Sequence, residues 1–135
     1  MSLFRIVYVS DAIGVAADSL LALIDIIGVS DRNNRRDHLT GVMMRCDGRF
    51  FQAIEGRRVD LDRLMGRLRA DRRHADMRIL SDRRITERLF PAWAMAQIDA
   101  PPALKRLLVC APDDPQIEAR VERLLTDVSR AMTAA

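Results

Sequence analysis

The sequence predicts an α+β fold, a ferredoxin-like sheet in the order βαββαββ with two helices on one face and further helices at the C-terminus. Two observations predict this fold class. Several short runs of residues alternate between two faces with the period of a β-strand. Between these runs, apolar residues recur three and four positions apart, which is the spacing of one face of an α-helix.

The first strand is predicted at residues 4–10, where Phe4 and Tyr8 share one face. A helix should follow, because Asp18 can accept a hydrogen bond as the N-cap residue and a helical apolar pattern comes after it. The polar stretch around Asn34 marks the end of this helix. Its apolar stripe consists of Leu20, Leu23, Ile24 and Ile27.

Residues 39–46 and 49–55 form a predicted β-hairpin. They are separated by Asp47 and Gly48, and both positions of such a two-residue turn must tolerate a positive φ. The two strands should therefore pair antiparallel. The second of them carries Gln52 among apolar residues, and a buried carboxamide needs both donor and acceptor partners.

A second helix is predicted after the hairpin, with Asp60 as its N-cap residue and an end near Arg73 or His74. Its apolar stripe predicts that one side packs against the sheet. The stripe of this helix consists of Leu61, Leu64, Met65 and Leu68. A short fourth strand follows the helix at residues 77–80.

The next predicted elements are a turn at residues 90–92 and a fifth strand at 93–98. Because side chains alternate along a strand, Trp93, Met95 and Gln97 should share one face. The two prolines that follow end this unit, since proline cannot donate to a sheet ladder.

We therefore expect a domain at residues 1–100 and a C-terminal helical extension at 101–135. The extension begins with a short helix at 103–110 and continues after Gln116 as an amphipathic helix. The apolar stripe of that helix must cover something, and capping the free face of the sheet is favoured over homo-oligomer formation or a signalling role. The stripe consists of Ile117, Val121, Leu124, Leu125, Val128 and Met132.

Composition narrows the function classes. The chain has 135 residues, a formal charge of +3 and 49% apolar residues, without a long charge-free run that could cross a membrane. Arginines are interleaved with acidic residues, so a solvated surface is favoured over nucleic-acid binding. Cys46 and Cys110 are isolated, which predicts free thiols and no metal site. A cytoplasmic protein is expected.

The candidate functional residues have polar or oxidisable side chains and are surrounded in the sequence by aliphatic residues. They are Tyr8, Asn34, Gln52, Trp93 and Met95. Tyr8 and Gln52 lie on strand faces that could meet under the helices. Two amides suit a flat heterocycle with alternating N–H and C=O groups along its edge, as in flavins and pterins.

Each of these residues also has an ordinary structural explanation, from a surface tyrosine to a helix C-cap asparagine. Hydrolytic and phosphoryl-transfer chemistry is disfavoured, because no Ser/His/Asp set, paired carboxylates, HExxH motif or glycine-rich phosphate loop is present. Three hypotheses stay open: a flavin-binding sensor, a ferredoxin-like flavin-dependent redox enzyme, and an interaction domain without a cofactor.

A combination of motifs resembles the BLUF family of blue-light sensors that use flavin adenine dinucleotide (FAD). The motifs recur in the family's order and spacing across roughly the first 100 residues, and as a set they are specific. They are RIVYVS at 5–10, NNRRDHLTG at 33–41, FFQAIEG at 50–56, DRRH at 71–74 and WAM at 93–95.

The resemblance implies a role for each candidate residue. Tyr8 matches the tyrosine that gives an electron and then a proton to the excited flavin, and Gln52 matches the glutamine between that tyrosine and the ring. Asn34 matches the asparagine that holds the carbonyl edge of the flavin. Trp93 and Met95 match the switching residues on the fifth strand.

Further contacts to the cofactor follow from the same resemblance. Ile26 fits a position that packs on the flavin ring, and Arg72, Arg73 and His74 fall where the family has side chains near the ring or the phosphates. The resemblance implies a photoreceptor and no enzyme activity. Since the segment after the fifth strand is too short for a catalytic effector, a stand-alone sensor that acts on a separate signalling protein is expected, together with homo-oligomer formation.

Overall fold

The computed structural model describes residues 2–13, 38–72, 74–91, 96–110 and 113–134. Within these ranges the chain forms five strands and three helices. They are β1 (Leu3–Ala12), β2 (Thr40–Cys46), β3 (Arg49–Gly56), α1 (Arg58–Ala70), β4 (His74–Ile85), β5 (Ala96–Gln97), α2 (Pro102–Cys110) and α3 (Ile117–Ala134).

The strands form one sheet in the order β4-β1-β3-β2-β5. Every neighbouring pair is antiparallel except β2 and β5, which run parallel. This order places β1 and β3 at the centre and is that of a ferredoxin-like sheet, so the predicted α+β fold class is confirmed. The predicted first helix, with Asp18 and Asn34, lies outside the described residues.

The hairpin between β2 and β3 is confirmed. Asp47 and Gly48 have φ values of 51° and 75°, which is the left-handed conformation that a tight two-residue turn requires. Cys46 and Arg49 pair directly across the turn. The turn therefore sets the register that fixes the position of every side chain on β3.

The boundaries of the second predicted helix were wrong. α1 begins at Arg58, and Asp60 lies in its first turn, where it is paired with Arg57 rather than serving as the N-cap residue. A carboxylate there also interacts favourably with the helix dipole. The helix ends at Ala70, so that His74 belongs to the following strand.

The fourth strand is also longer than predicted. β4 spans His74–Ile85 and lies at one edge of the sheet, where it pairs with β1 over the whole length of that strand. Its charged residues obscured the strand pattern, yet an edge strand tolerates charges on its open side. Of the predicted fifth strand at 93–98, the structure describes residues 96–98 and has a strand at Ala96–Gln97, while Trp93 and Met95 lie outside the described residues.

The sheet separates two apolar cores. Even-numbered residues of β1 and β3, including Ile6 and Ile54, pack against α1. Odd-numbered residues of the same strands, including Val7 and Phe51, pack against α2 and α3. The C-terminal helices therefore cap the second face of the sheet, as the sequence favoured. None of the helices in the described ranges is long and apolar enough to cross a membrane.

Candidate functional site

Tyr8 and Gln52 face each other across the two central strands. They are direct partners in the β1–β3 register, and the Tyr8 hydroxyl donates a hydrogen bond to Gln52 Oε1 at 2.5 Å. Both residues are fully buried, with exposures of 1% and 0%. The surface position considered for Tyr8 is therefore wrong, and the structure brings together the two residues that the sequence placed on meeting faces.

The Tyr8 hydroxyl and the Gln52 carboxamide are polar groups in an apolar layer. Leu64 and Met65 of α1 belong to the same core cluster as Tyr8, as does Phe50 of β3. Burial raises the pKa of Tyr8 well above its usual value, and the negative charge of Asp71 raises it further. The phenol is therefore firmly protonated at neutral pH and serves as a hydrogen-bond donor.

His74 borders this pair at the start of β4. Its Nδ1 lies 2.7 Å from Ser10 Oγ and its Nε2 lies 2.5 Å from the carbonyl oxygen of Leu68. Since a carbonyl can only accept, Nε2 carries a hydrogen. The ring centroid is 6.2 Å from that of Tyr8 and 6.4 Å from that of Phe50. His74 thus ties the end of α1 to β1 next to the tyrosine.

A groove of about 230 Å³ lies beside His74, between the end of α1 and the start of β4. Arg69 lines it, and Arg72 is exposed on the turn that follows the helix. The lining of the groove therefore combines one basic and one acidic side chain, and its His74 lies next to the buried tyrosine. Its lining consists of Leu68, Arg69, His74, Ala75, Asp76 and Met77.

The described residues contain part of the predicted site. Tyr8 and Gln52 are in contact, His74 is next to them, and Arg72 is at the surface nearby. The remaining predicted site residues lie outside the described ranges, and their roles stay predictions. These residues are Ile26, Asn34, Arg73, Trp93 and Met95.

Sequence reasoning missed a buried charged cluster on the opposite face of the sheet. Glu55 accepts hydrogen bonds from Arg5 Nε at 2.9 Å and from the backbone N–H groups of Leu89 at 3.0 Å and Phe90 at 2.9 Å. Arg5 Nη1 also donates to Glu122 Oε1 of α3 at 2.6 Å. The available signal was one arginine and one glutamate on otherwise apolar strands.

Comparison with known proteins identifies the family. The model of the BLUF family, described as sensors of blue-light using FAD, matches residues 3–96. The photoactivated adenylate cyclase subunit beta of Euglena longa is 30% identical over 112 residues, which are 79% of this chain and 13% of that protein. The alpha subunit of Euglena gracilis is 30% identical over 109 residues, covering 77% and 11%. The chain spans only a small part of these relatives.

Solved structures agree with this assignment. The dark-state structure of BlrB, a BLUF protein, is 28% identical with a TM-score of 0.74, and the match covers 94% of this chain and 97% of that one. A bacterial light-regulated adenylyl cyclase is 31% identical with a TM-score of 0.68, covering 98% and 35%. The ground state of BlsA, at 23% identity and a TM-score of 0.77, covers 91% and 87% and shares the fold. The chain belongs to the BLUF family of blue-light sensors that use FAD.

Proposed function

We propose that this chain binds FAD and reports blue light through electron and proton transfer from Tyr8 and a rearrangement of the Gln52 hydrogen bonds, which is then passed to a separate signalling protein. The observation that carries the proposal is the buried hydrogen bond from the Tyr8 hydroxyl to Gln52 Oε1. It joins a redox-active phenol to a side chain that can reverse its donor and acceptor atoms.

The residues present fit a flavin. Tyr8 and Gln52 offer hydroxyl and carboxamide groups within an apolar layer, which suits a flat ring with polar atoms along its edge. Arg69 and Arg72 supply positive charge near the same end of α1, where cofactor phosphates would be neutralised. Arg73, Asn34 and Ile26 would complete the site according to the family resemblance.

His74 would contribute to the site in a different way. Both of its ring nitrogens already have protein partners, Ser10 and Leu68. It would therefore support the cofactor through the face of its ring, or by holding the end of α1 against β1. A direct hydrogen bond from either ring nitrogen would require the loss of one of these contacts.

Bound FAD would supply a chromophore that absorbs blue light and, when excited, takes an electron and a proton from a nearby donor. Tyr8 is that donor. Burial keeps its hydroxyl protonated, so the electron and the proton both leave the phenol and both return to it at the end of the cycle. No net oxidation occurs, and the protein needs no further substrate.

Gln52 retains the effect of light after the electron returns. In the resting state its Oε1 accepts the hydrogen bond of Tyr8. While the hydroxyl proton is absent, this bond is lost and the carboxamide can rotate or tautomerise. It can then present a donor where it had an acceptor, which changes the hydrogen bonding at the edge of the chromophore and shifts its absorption to the red.

Such a change is small in energy. One exchanged hydrogen bond contributes about 1 kcal/mol, enough to change a two-state ratio several-fold without unfolding a domain. The output is therefore a population shift. We assign Trp93 and Met95 to the route that carries it from Gln52 towards the C-terminal helices, on the basis of the family resemblance, and a second protein would read it.

The test is the visible absorption spectrum of the purified full chain, supplemented with FAD, before and after blue light and during recovery in darkness. We expect a flavin spectrum that shifts slightly to the red and returns. Tyr8→Phe, which removes only the hydroxyl, should bind FAD and show no shift. Flavin that bleaches permanently would indicate a redox enzyme, and a chain without flavin would indicate an interaction domain; either result would overturn the proposal.

A further inference from the structure

A buried polar cluster connects the two central strands to the last helix. We call it the Glu55 network; it comprises the side chains of Arg5, Glu55 and Glu122 and the backbone N–H groups of Leu89 and Phe90. Its members come from β1, β3, α3 and the segment that leads towards β5. The Glu55 carboxylate therefore joins β3 to β1 and to the segment that leads towards β5, and Arg5 extends the network to α3.

The Glu55 network and the pair formed by Tyr8 and Gln52, which we call the light-sensing pair, lie on the same two strands. Arg5 pairs with Glu55 in the β1–β3 register, three positions from the pair formed by Tyr8 and Gln52. Because three is an odd number of positions, the two pairs point to opposite faces of the sheet. The cluster therefore lies where a displacement of β1 or β3 caused by the light-sensing pair would reach the helix on the other side.

The two ends of the network differ in how freely they can rearrange. Glu55 is fully buried and accepts three hydrogen bonds, so that displacing it would leave buried donors unsatisfied. The Glu122 side chain is 26% exposed and has two cationic neighbours. Its Oε1 lies 2.6 Å from Arg5 Nη1 and 3.7 Å from Arg83 Nη1.

Glu122 therefore has two available partners. If it leaves Arg5, the guanidinium keeps its bond to Glu55, and no buried charge is left unpaired. Arg83 lies at the surface on β4 and can receive the carboxylate. A population shift requires an element with two arrangements, and Glu122 held closer to Arg5 or closer to Arg83 would be those two.

We propose that Glu122 exchanges between Arg5 and Arg83 when the sensor responds to light, and that this exchange moves α3. The inference rests on the proposed function and deepens it by naming the contact at which the signal reaches the helix. Ser129, two turns further along α3, donates a hydrogen bond to the carbonyl oxygen of Leu89. The helix is thereby also joined to the segment that Glu55 holds.

The experiment measures amide hydrogen exchange of residues 117–134 in the full chain loaded with FAD, in darkness and under continuous blue light. Glu122→Gln keeps the size of the side chain and removes its charge, and Arg83→Gln removes the alternative partner. We expect both variants to keep the red shift of the flavin and to lose the light-dependent change in α3 exchange several-fold. Glu118→Gln, an exposed change of the same charge on the same helix, should behave as the wild type.

The outcomes separate this inference from the proposed function. A wild-type chain that lacks a flavin red shift refutes the proposed function, and the inference falls with it. A red shift without a light-dependent change in the amide hydrogen exchange of α3 would support the proposed function but refute the change of partner by Glu122. A full light response of α3 in Glu122→Gln would refute it in the same way. A full response in Arg83→Gln would likewise refute Arg83 as the second partner.

Discussion

Tyr8 is the only tyrosine of the chain, which makes its ionisation directly observable. Its hydroxyl is buried and bonded to Gln52, and its pKa is raised by burial and by the charge of Asp71. A phenol in the unfolded chain titrates near pH 10. Folding therefore favours the neutral form of this side chain.

We expect tyrosinate absorbance in the near ultraviolet to appear at a higher pH in the folded protein than in the protein unfolded by urea. Because the folded pKa of Tyr8 is the higher one, its contribution to stability is fully present below about pH 10 and is lost as the pH rises towards the folded value. Absorbance and thermal unfolding measured against pH test this. Tyr8→Phe provides the baseline, and coincident titration of folded and unfolded protein would contradict the expectation.

At the scale of single residues, part of the candidate site could be predicted from the sequence. Strand periodicity was sufficient to place Tyr8 and Gln52 on meeting faces, because alternation is a local property of the backbone. The role of Glu55 could not be found in the same way. Two of its partners are backbone N–H groups of Leu89 and Phe90, and side-chain identity carries no information about those groups.

At the scale of elements, the β2–β3 hairpin positions Gln52. Gly41 of β2 lies against β3 so closely that a Cβ atom would come within 1.9 Å of the carbonyl oxygen of Ala53. Ala53 directly follows Gln52 in the chain. Gly48, in the turn, needs glycine for a different reason, since its φ is positive while the space around it is open.

These two glycines offer a matched comparison. Gly41→Ala should lower the free energy of unfolding by about 3 kcal/mol or more, because backbone must move, and should also weaken FAD binding or alter the red shift. Gly48→Ala should cost about 1 kcal/mol and leave the spectrum unchanged. Urea unfolding and absorption spectra of both variants test this. Equal effects on the spectrum would show that β2 does not position Gln52.

Element boundaries were predicted less well than element types. The sequence located α1 but predicted Asp60 as its N-cap residue, whereas Asp60 lies in the first turn and is paired with Arg57. β4 was predicted to be too short, because the charged residues that follow Leu80 hide a strand whose outer edge has no strand neighbour within the described sheet. Tertiary pairing with β1 determines both of its ends.

At the scale of the whole molecule, the sheet is covered on its second face by the C-terminal helices. Leu125 of α3 is completely buried in the core that contains Val7 and Phe51 of the sheet. The segment from Pro102 onward is therefore part of the packed structure. The division into a domain at residues 1–100 and an extension at 101–135 stays a prediction.

Truncating α3 in the core should destabilise the sheet. Leu125→Ala should lower the free energy of unfolding by about 2 to 5 kcal/mol, because it leaves a cavity beneath the sheet. Arg123→Ala, an exposed change on the same helix, should cost less than about 0.5 kcal/mol. Urea unfolding monitored by circular dichroism compares the two. If Leu125→Ala proves as mild as the control, α3 does not support the sheet.

The sequence favoured packing of the C-terminal helix on the sheet but could not exclude packing on a second chain. An amphipathic stripe shows that a helix covers an apolar surface, but the stripe is the same whether that surface belongs to the sheet or to a second chain. The odd-numbered residues of β1 and β3 resolve the question, because they contact α2 and α3 within one chain. Such pairing between distant segments is not encoded in the periodicity of either segment.

The central position of β1 and β3 has a consequence for repeated use. Each strand has a hydrogen-bonded neighbour on both sides, so the backbone beneath Tyr8 and Gln52 is anchored in both directions. A change that begins at these side chains can be undone without breaking a strand pair. In the proposed photocycle, resetting in darkness would therefore require no refolding, because the pairing of the central strands would stay intact.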